Sequence, residues 1–147
     1  KAIRRQRQMC IRDSTWGVLM RRDAPLAKKE AIGPKDLWDK PLILSRQHRA
    51  GSALSLWLKR EEADLNIVAT YSLLYNGSIL VDEGLGYAIT LDKIINTQGG
   101  NLCFRPLIPT LQAGLCVVWK KYQVLTKASE LFLNTLQSNL ETAESEA

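Results

Sequence analysis

Between Pro41 and Leu91 the apolar pattern alternates between two periods. PLILS (41–45) is a continuous apolar run too short for a helix, whereas SALSLWLKREEA (52–63) repeats Leu54, Trp57 and Leu58 at helical spacing. LNIVAT (65–70) is a second apolar run with β-branched residues, YSLLYNGSILVDEG (71–84) suits a helix packed on a sheet through Leu73, Leu74, Ile79, Leu80 and Val81, and YAITL follows. Strand, helix, strand, helix, strand is an α/β rhythm. It predicts a lobe over about 24–104 whose strands are mostly parallel, with PLIL and LNIVA buried on both faces.

The punctuation supports the same reading. In DEGLGYAIT (82–90), Gly84 is the natural residue for a left-handed position just past a helix end, and Gly86 permits close approach as the chain turns into the next strand. Because this glycine pair follows a helix, it is not a dinucleotide-binding turn, which must follow a strand and open a helix. TWGVLM (15–20), LCFRPL (102–107) and GLCVVWKKY (114–122) read as further strands. Pro34 opens a short helix carrying Leu37 and Trp38, and a last helix runs from about Thr126 to Leu140 with Ala128, Leu131, Phe132, Leu136 and Leu140 as its buried stripe.

Several functional classes find little support. No window approaches the roughly 18 apolar residues of a membrane span, and no apolar signal core follows the basic start, so a cytoplasmic setting is expected. Cys10, Cys103 and Cys116 form no CxxC pair, which argues against a disulfide framework or a zinc site. His48 lies in a polar loop with Arg46, Gln47 and Arg49; Asp82 and Glu83 adjoin at a helix end; no Ser or Cys has an evident base partner. We therefore expect no enzyme, no cofactor and no metal. The four tryptophans, Trp16, Trp38, Trp57 and Trp119, are spread over different elements, and most read as core residues.

In open α/β sheets ligands sit beyond the carboxyl ends of the strands. Ser45, Arg46 and Gln47 follow PLIL, and Thr70, Tyr71 and Ser72 follow LNIVA, each group opening a helix whose N–H groups favour an anion. Arg46 suits a carboxylate. Ser45, Ser52, Thr70 and Ser72 equally have the chemistry of helix caps and loop residues that satisfy only the backbone.

WGVLMRRDAPLA, DLWDKPLILSRQ, EGLGYAITL, LCFRPLIP and GLCVVWKKYQVLTKASELFL, in that order, resemble the latter half of the effector-binding domain of LysR-type transcriptional regulators. The resemblance implies a fold like type 2 periplasmic binding proteins, two lobes with a small effector held between them. Lobe two would be complete over residues 23–104, and lobe one would survive as a remnant over 15–22 and 105–140, followed by an acidic tail, 141–147. That remnant would leave Val118, Trp119, Leu131 and Phe132 on an apolar surface. Carried over residue by residue, the effector positions are Ser45, Arg46, Gln47, Gly51, Ser52, Thr70 and Ser72, suited to a small polar or anionic molecule.

By the same resemblance the chain is a fragment, the full-length protein is a homo-oligomer with no membrane contact, and DNA is reached only through a helix-turn-helix absent from these residues. Residues 1–14 hold five basic side chains against one acidic and match no part of the family; MCIRDS resembles a string found at the ends of assembled environmental sequences. They are expected to be a disordered or artefactual head. The alternative function is a fragment of a solute-binding protein of the same fold serving a transporter.

Overall fold

The computed structural model describes residues 6–47, 51–120 and 124–145. Arg4, Arg5, His48 and Arg49 lie outside the described residues. The strands are β1 (Gln6–Arg21), β2 (Leu42–Ser45), β3 (Ile67–Tyr71), β4 (Tyr87–Leu91), β5 (Leu102–Pro106) and β6 (Gln112–Lys120). The α-helices are α1 (Ala53–Leu58), α2 (Leu74–Asp82) and α3 (Lys127–Ser145). The sheet runs β3-β2-β4-β1-β5, and β6 pairs with β1 off this path. β2 is parallel to both β3 and β4, whereas β1 is antiparallel to both β4 and β5.

Side-chain alternation sorts the core onto the two faces of this sheet. Val18 and Met20 of β1, Leu42 and Leu44 of β2 and Ile89 of β4 point to one face, where Leu54, Trp57 and Leu58 of α1 join Leu26, Ile32 and Leu37 from the connections. Leu19, Ile43 and Ala88 point to the other, beneath Leu74 and Val81 of α2. Each fully buried leucine or isoleucine contributes about 1.5–3 kcal/mol relative to exposure, so both helices are held by burial more than by propensity.

The continuous run in β2 is buried on both faces, as its lack of alternation implies. β3 departs from the expectation. It is the edge strand of the sheet, and Val68 and Thr70 are exposed while Tyr71 turns inward. The two helices are also shorter than their periodicity suggests. α1 stops at Leu58 because Lys59 takes a left-handed conformation, φ 55°, and the acidic stretch after it forms only the 3-10 turn Glu62–Asp64. α2 starts at Leu74 because Tyr71 still belongs to β3, which leaves Leu73 and Ile79 exposed.

The DEGLGYAIT turn closes as read. Gly84 has φ 81°, its N–H bonds to the Val81 carbonyl at 2.9 Å, and the Leu85 N–H reaches back to the Leu80 carbonyl at 3.0 Å. This paired return is the Schellman ending of a helix. Gly86 then passes against Pro41, whose carbonyl oxygen occupies the space a Cβ would need, and the Tyr87 N–H bonds to that same oxygen at 2.9 Å.

By contact density the chain separates into a unit of Ser14–Ala113 and a second unit from its two ends, 1–13 with 114–147. Residues 15–22 and 105–113, grouped by the sequence reading with the lobe-one remnant, fall in the larger unit, because Trp16–Arg21 pairs with β4 and β5. Residues 6–14, expected outside the fold, belong to β1. In the second unit, α3 does not bury its stripe: Leu131 and Phe132 are 68% and 63% exposed, Ala128 is exposed and Leu136 half-buried. Val118 of β6 is exposed too.

Two glycines carry close approaches that a methyl group would block. A Cβ on Gly17 would lie 2.5 Å from the Arg105 carbonyl oxygen and inside the Phe104 ring, and one on Gly86 would meet the Pro41 carbonyl. We expect Gly17→Ala and Gly86→Ala each to lower stability by at least ~2 kcal/mol in urea unfolding. Gly100→Ala, with open space around it, should stay within about 0.5 kcal/mol of the parent. Equal stabilities for all three variants would contradict this account.

Candidate ligand pocket

At the carboxyl ends of β2 and β3 the chain leaves the sheet through two polar turns. Ser45 ends β2, and its Oγ accepts the Gln47 N–H at 3.2 Å, while the Arg46 N–H bonds to the Tyr71 carbonyl at 2.8 Å. Ser52 caps α1, its Oγ accepting the Ser55 N–H at 3.3 Å. Gly51 precedes it at φ 78°, with open space where a side chain would stand. α2 begins differently: its N-cap position is Leu73, and no side chain caps it.

These turns border a cavity of about 460 Å³ within the larger unit. Ser45, Gln47, Ser52 and Ser72 line it, together with Tyr71 and Thr90. Its apolar surface comes from Trp16 of β1, Leu54 of α1, Leu73 and Leu74 at the start of α2, Ile89 and Leu91 of β4, and Ile94. Arg46, Gly51 and Thr70 are not among the lining residues; Arg46 is exposed at the turn, and Thr70 is an outward residue of the edge strand. The pocket wall carries no charged side chain among the described residues. It therefore offers hydroxyls, an amide and the uncapped start of α2 above an apolar floor.

Trp16, Thr90 and Ile94 join the wall without a local sequence signal that places them at a strand's carboxyl end, and Tyr71, at such an end, lies outside the effector positions that the resemblance implies. Trp16 comes from a strand far away in sequence and is placed here by pairing opposite Leu91. Thr90 had a visible signal, a hydroxyl inside the apolar run YAITL. Tyr71 is buried, and its phenol donates to the Ile89 carbonyl at 2.9 Å. Its ring also packs against Gly77 of α2, so it ties β3, β4 and α2 together beneath the pocket. Burial pushes the Tyr71 phenol above its ordinary range, and the Thr90 hydroxyl pulls it partly back.

Among the described residues, nothing in this arrangement supplies a nucleophile with a base beside it. No group of three His, Cys, Asp or Glu among the described residues is placed to hold a metal ion. No helix among them is long and apolar enough to cross a membrane.

The sequence profile of the LysR substrate binding domain matches residues 7–141. The chain belongs to that family. The match takes in residues 7–14, which lie outside the segments that carry the resemblance. No curated protein matched the sequence significantly. Among solved structures, the effector binding domain of QuiR in complex with shikimate is 16% identical at a TM-score of 0.78, covering 97% of this chain and 68% of its own. The CcmR regulatory domain of Synechocystis PCC6803 in complex with 2-PG is 17% identical at a TM-score of 0.72, covering 92% of this chain and 67% of its own. HinK, a LysR family transcriptional regulator from Pseudomonas aeruginosa, is 19% identical at a TM-score of 0.70; the alignment covers 94% of this chain but spans only 50% of HinK. At these identities the likeness establishes the fold, which is the α/β, periplasmic-binding-protein type 2-like fold of LysR substrate-binding domains.

The buried phenol makes a pH prediction. With its folded-state pKa raised, Tyr71 contributes stability that is complete below its unfolded value of about 10 and is lost as pH rises through the folded value. Tyr87, also raised by burial, adds in the same direction. We expect Tyr71→Phe to cost roughly 0.5–1.5 kcal/mol at neutral pH, from the lost bond to Ile89, and to flatten the decline in stability above pH ~10. Urea unfolding between neutral and alkaline pH measures both; an unchanged alkaline slope would contradict the assignment.

Proposed function

We propose that this chain is the effector-sensing part of a LysR-type transcriptional regulator and binds, without transforming, a small polar or anionic molecule in the pocket formed by Ser45, Gln47, Ser52 and Ser72. The observation that carries the reading is the convergence of those side chains with the uncapped start of α2 over an apolar floor. Hydroxyls and helix N–H groups donate to carboxylate or hydroxyl oxygens, while Trp16, Leu54 and Ile89 cover a carbon skeleton. The ligands named with QuiR and CcmR are small molecules, which supports the same class here. Arg46 and Thr70 stand outside the wall, so in this reading an anionic group is held by neutral donors.

DNA recognition and self-association belong, in this proposal, to a whole regulator of which these residues make up about the half that aligns with HinK. Action in the cytoplasm follows from that role. A transporter's solute-binding protein is the less favoured alternative, because the profile that matches is the LysR domain.

Ligand screening by calorimetry tests the pocket. With an effector in hand, Ser45→Ala and Ser72→Ala should each weaken binding by about 0.5–1.5 kcal/mol, roughly two- to tenfold, and Arg46→Ala and Thr70→Ala should do less. An effector whose affinity none of the four changes would remove this face from consideration. Used alone, the chain should give no sequence-specific footprint on duplex DNA at physiological salt. Any binding through Arg4, Arg5 and Arg7 should be weak and fall steeply with salt.

A further inference from the structure

A second cavity, of about 700 Å³, opens on the α2 face of the sheet where the helix no longer covers β1 and β5. Its floor is the sheet itself, with Thr15 and Leu19 from β1, Thr90 from β4 and Phe104 and Pro106 from β5. The side wall is the segment after β4, residues 92–98. Leu74, Thr90, Leu91 and Ile94 also line the pocket described above, so the two are neighbours; Phe104 and the wall from Asp92 to Gln98 belong to this one, apart from the shared Ile94.

We propose that this cavity is a separate binding site for a small uncharged aromatic compound carrying a carbonyl or hydroxyl group. Three observations lead there. First, the wall is fixed at both ends. The Asp92 N–H bonds to the Thr15 carbonyl at 2.9 Å and the Asp92 carboxylate accepts the Thr15 N–H at 3.1 Å. At the far end the Arg22 guanidinium donates to the Thr97 and Gly100 carbonyls at 2.6 and 2.8 Å, and the Arg22 N–H to the Asn101 carbonyl at 2.7 Å. A wall held this way loses little entropy when a ligand arrives.

Second, the floor presents an aromatic ring. Phe104 packs over Gly17, in the space a side chain there would need, and remains only half-buried within the cavity lining. It offers a ring contact to a planar ligand.

Third, the charge of the lining is balanced. Asp92 and Lys93 are its only charged residues among the described ones, they lie 3.6 Å apart, and the carboxylate is already hydrogen-bonded to the Thr15 N–H. An ionic ligand would give up its hydration without meeting a free counter-charge, whereas a neutral one would not incur that cost. The remaining polar groups are neutral. The side-chain oxygen (Oδ1) of Asn96 accepts the Gln98 N–H at 2.9 Å, which leaves its –NH₂ as the amide donor for a ligand oxygen.

Benzamide, benzoate and benzylamine share one shape and differ in charge, and amide-resolved NMR titration of the chain with each tests the site. Benzamide is expected to shift the Phe104, Asn96 and Gln98 amides at lower concentration than either charged probe. Phe104→Leu should reduce its affinity roughly three- to tenfold, the range of one lost aromatic contact. Asn96→Ala and Gln98→Ala, on an exposed segment whose substitution leaves the core intact, should each reduce it about two- to tenfold. Absence of these shifts, equal binding of benzoate or benzylamine, or indifference to all three substitutions would overturn the proposal. Shifts confined to Ser45, Gln47 and Ser72 would also overturn it while leaving the effector pocket standing. A response at Asn96 and Gln98, in a protein whose effector ignores Ser45 and Ser72, would do the reverse.

Discussion

The insertion of β1 between β4 and β5 is the constraint on which the larger unit depends. Without it, β2, β3 and β4 form a small parallel sheet with an open side, and β5 has no partner in that path. With it, Val18 and Met20 complete one core and Leu19 the other. The geometry also demands a residue without a side chain at position 17, because the Phe104 ring and the Arg105 carbonyl close over it. Both cavities inherit their floor from this strand: Trp16 enters one, and Thr15 and Leu19 enter the other.

The pocket's chemistry follows from how the polar residues are distributed around that frame. Hydroxyls at the ends of β2 and β3 stand above leucines and isoleucines whose other atoms belong to the cores. Serines are well suited to such a place, since each can serve the backbone and still offer a lone pair or proton to a ligand. Ser45 and Ser52 do bond backbone N–H groups, at 3.2 and 3.3 Å, while lining the pocket. α2, by contrast, begins with no side-chain cap, at the Leu73 and Leu74 that border the pocket.

Much of the frame was legible in the sequence because it rests on local rules. PLIL announced a doubly buried strand, and Gly84 and Gly86 announced a helix ending followed by a close backbone approach. Elements whose status depends on distant partners were harder to read. LNIVAT has the composition of a central strand but takes the edge, since burial there is decided by sheet order and not by its own residues. The period of α3 alone reads as a buried stripe, whereas the resemblance places Leu131 and Phe132 on an apolar surface, and both are exposed. Loop logic found Ser45, Gln47, Ser52 and Ser72 for the pocket, while Trp16 and Thr90 needed the register of β1 against β4, which no local pattern encodes.

The same long-range register has a kinetic side. Thr15 meets Asp92 across 77 positions, and Arg105 reaches the Ala27 carbonyl across 78. Closing such loops costs chain entropy before any contact repays it, and topologies dominated by distant pairings fold slowly. The parallel pairs β2·β3 and β2·β4 span shorter stretches and can assemble while β1 is still unpaired on both edges. Until residues 87–106 reach it, β1 presents Val18, Leu19 and Met20 to water with two open rows of backbone donors and acceptors. The strand that floors both cavities is therefore the segment most open to wrong partners during folding, and a nascent chain carries that exposure until the stretch through Pro106 has been made.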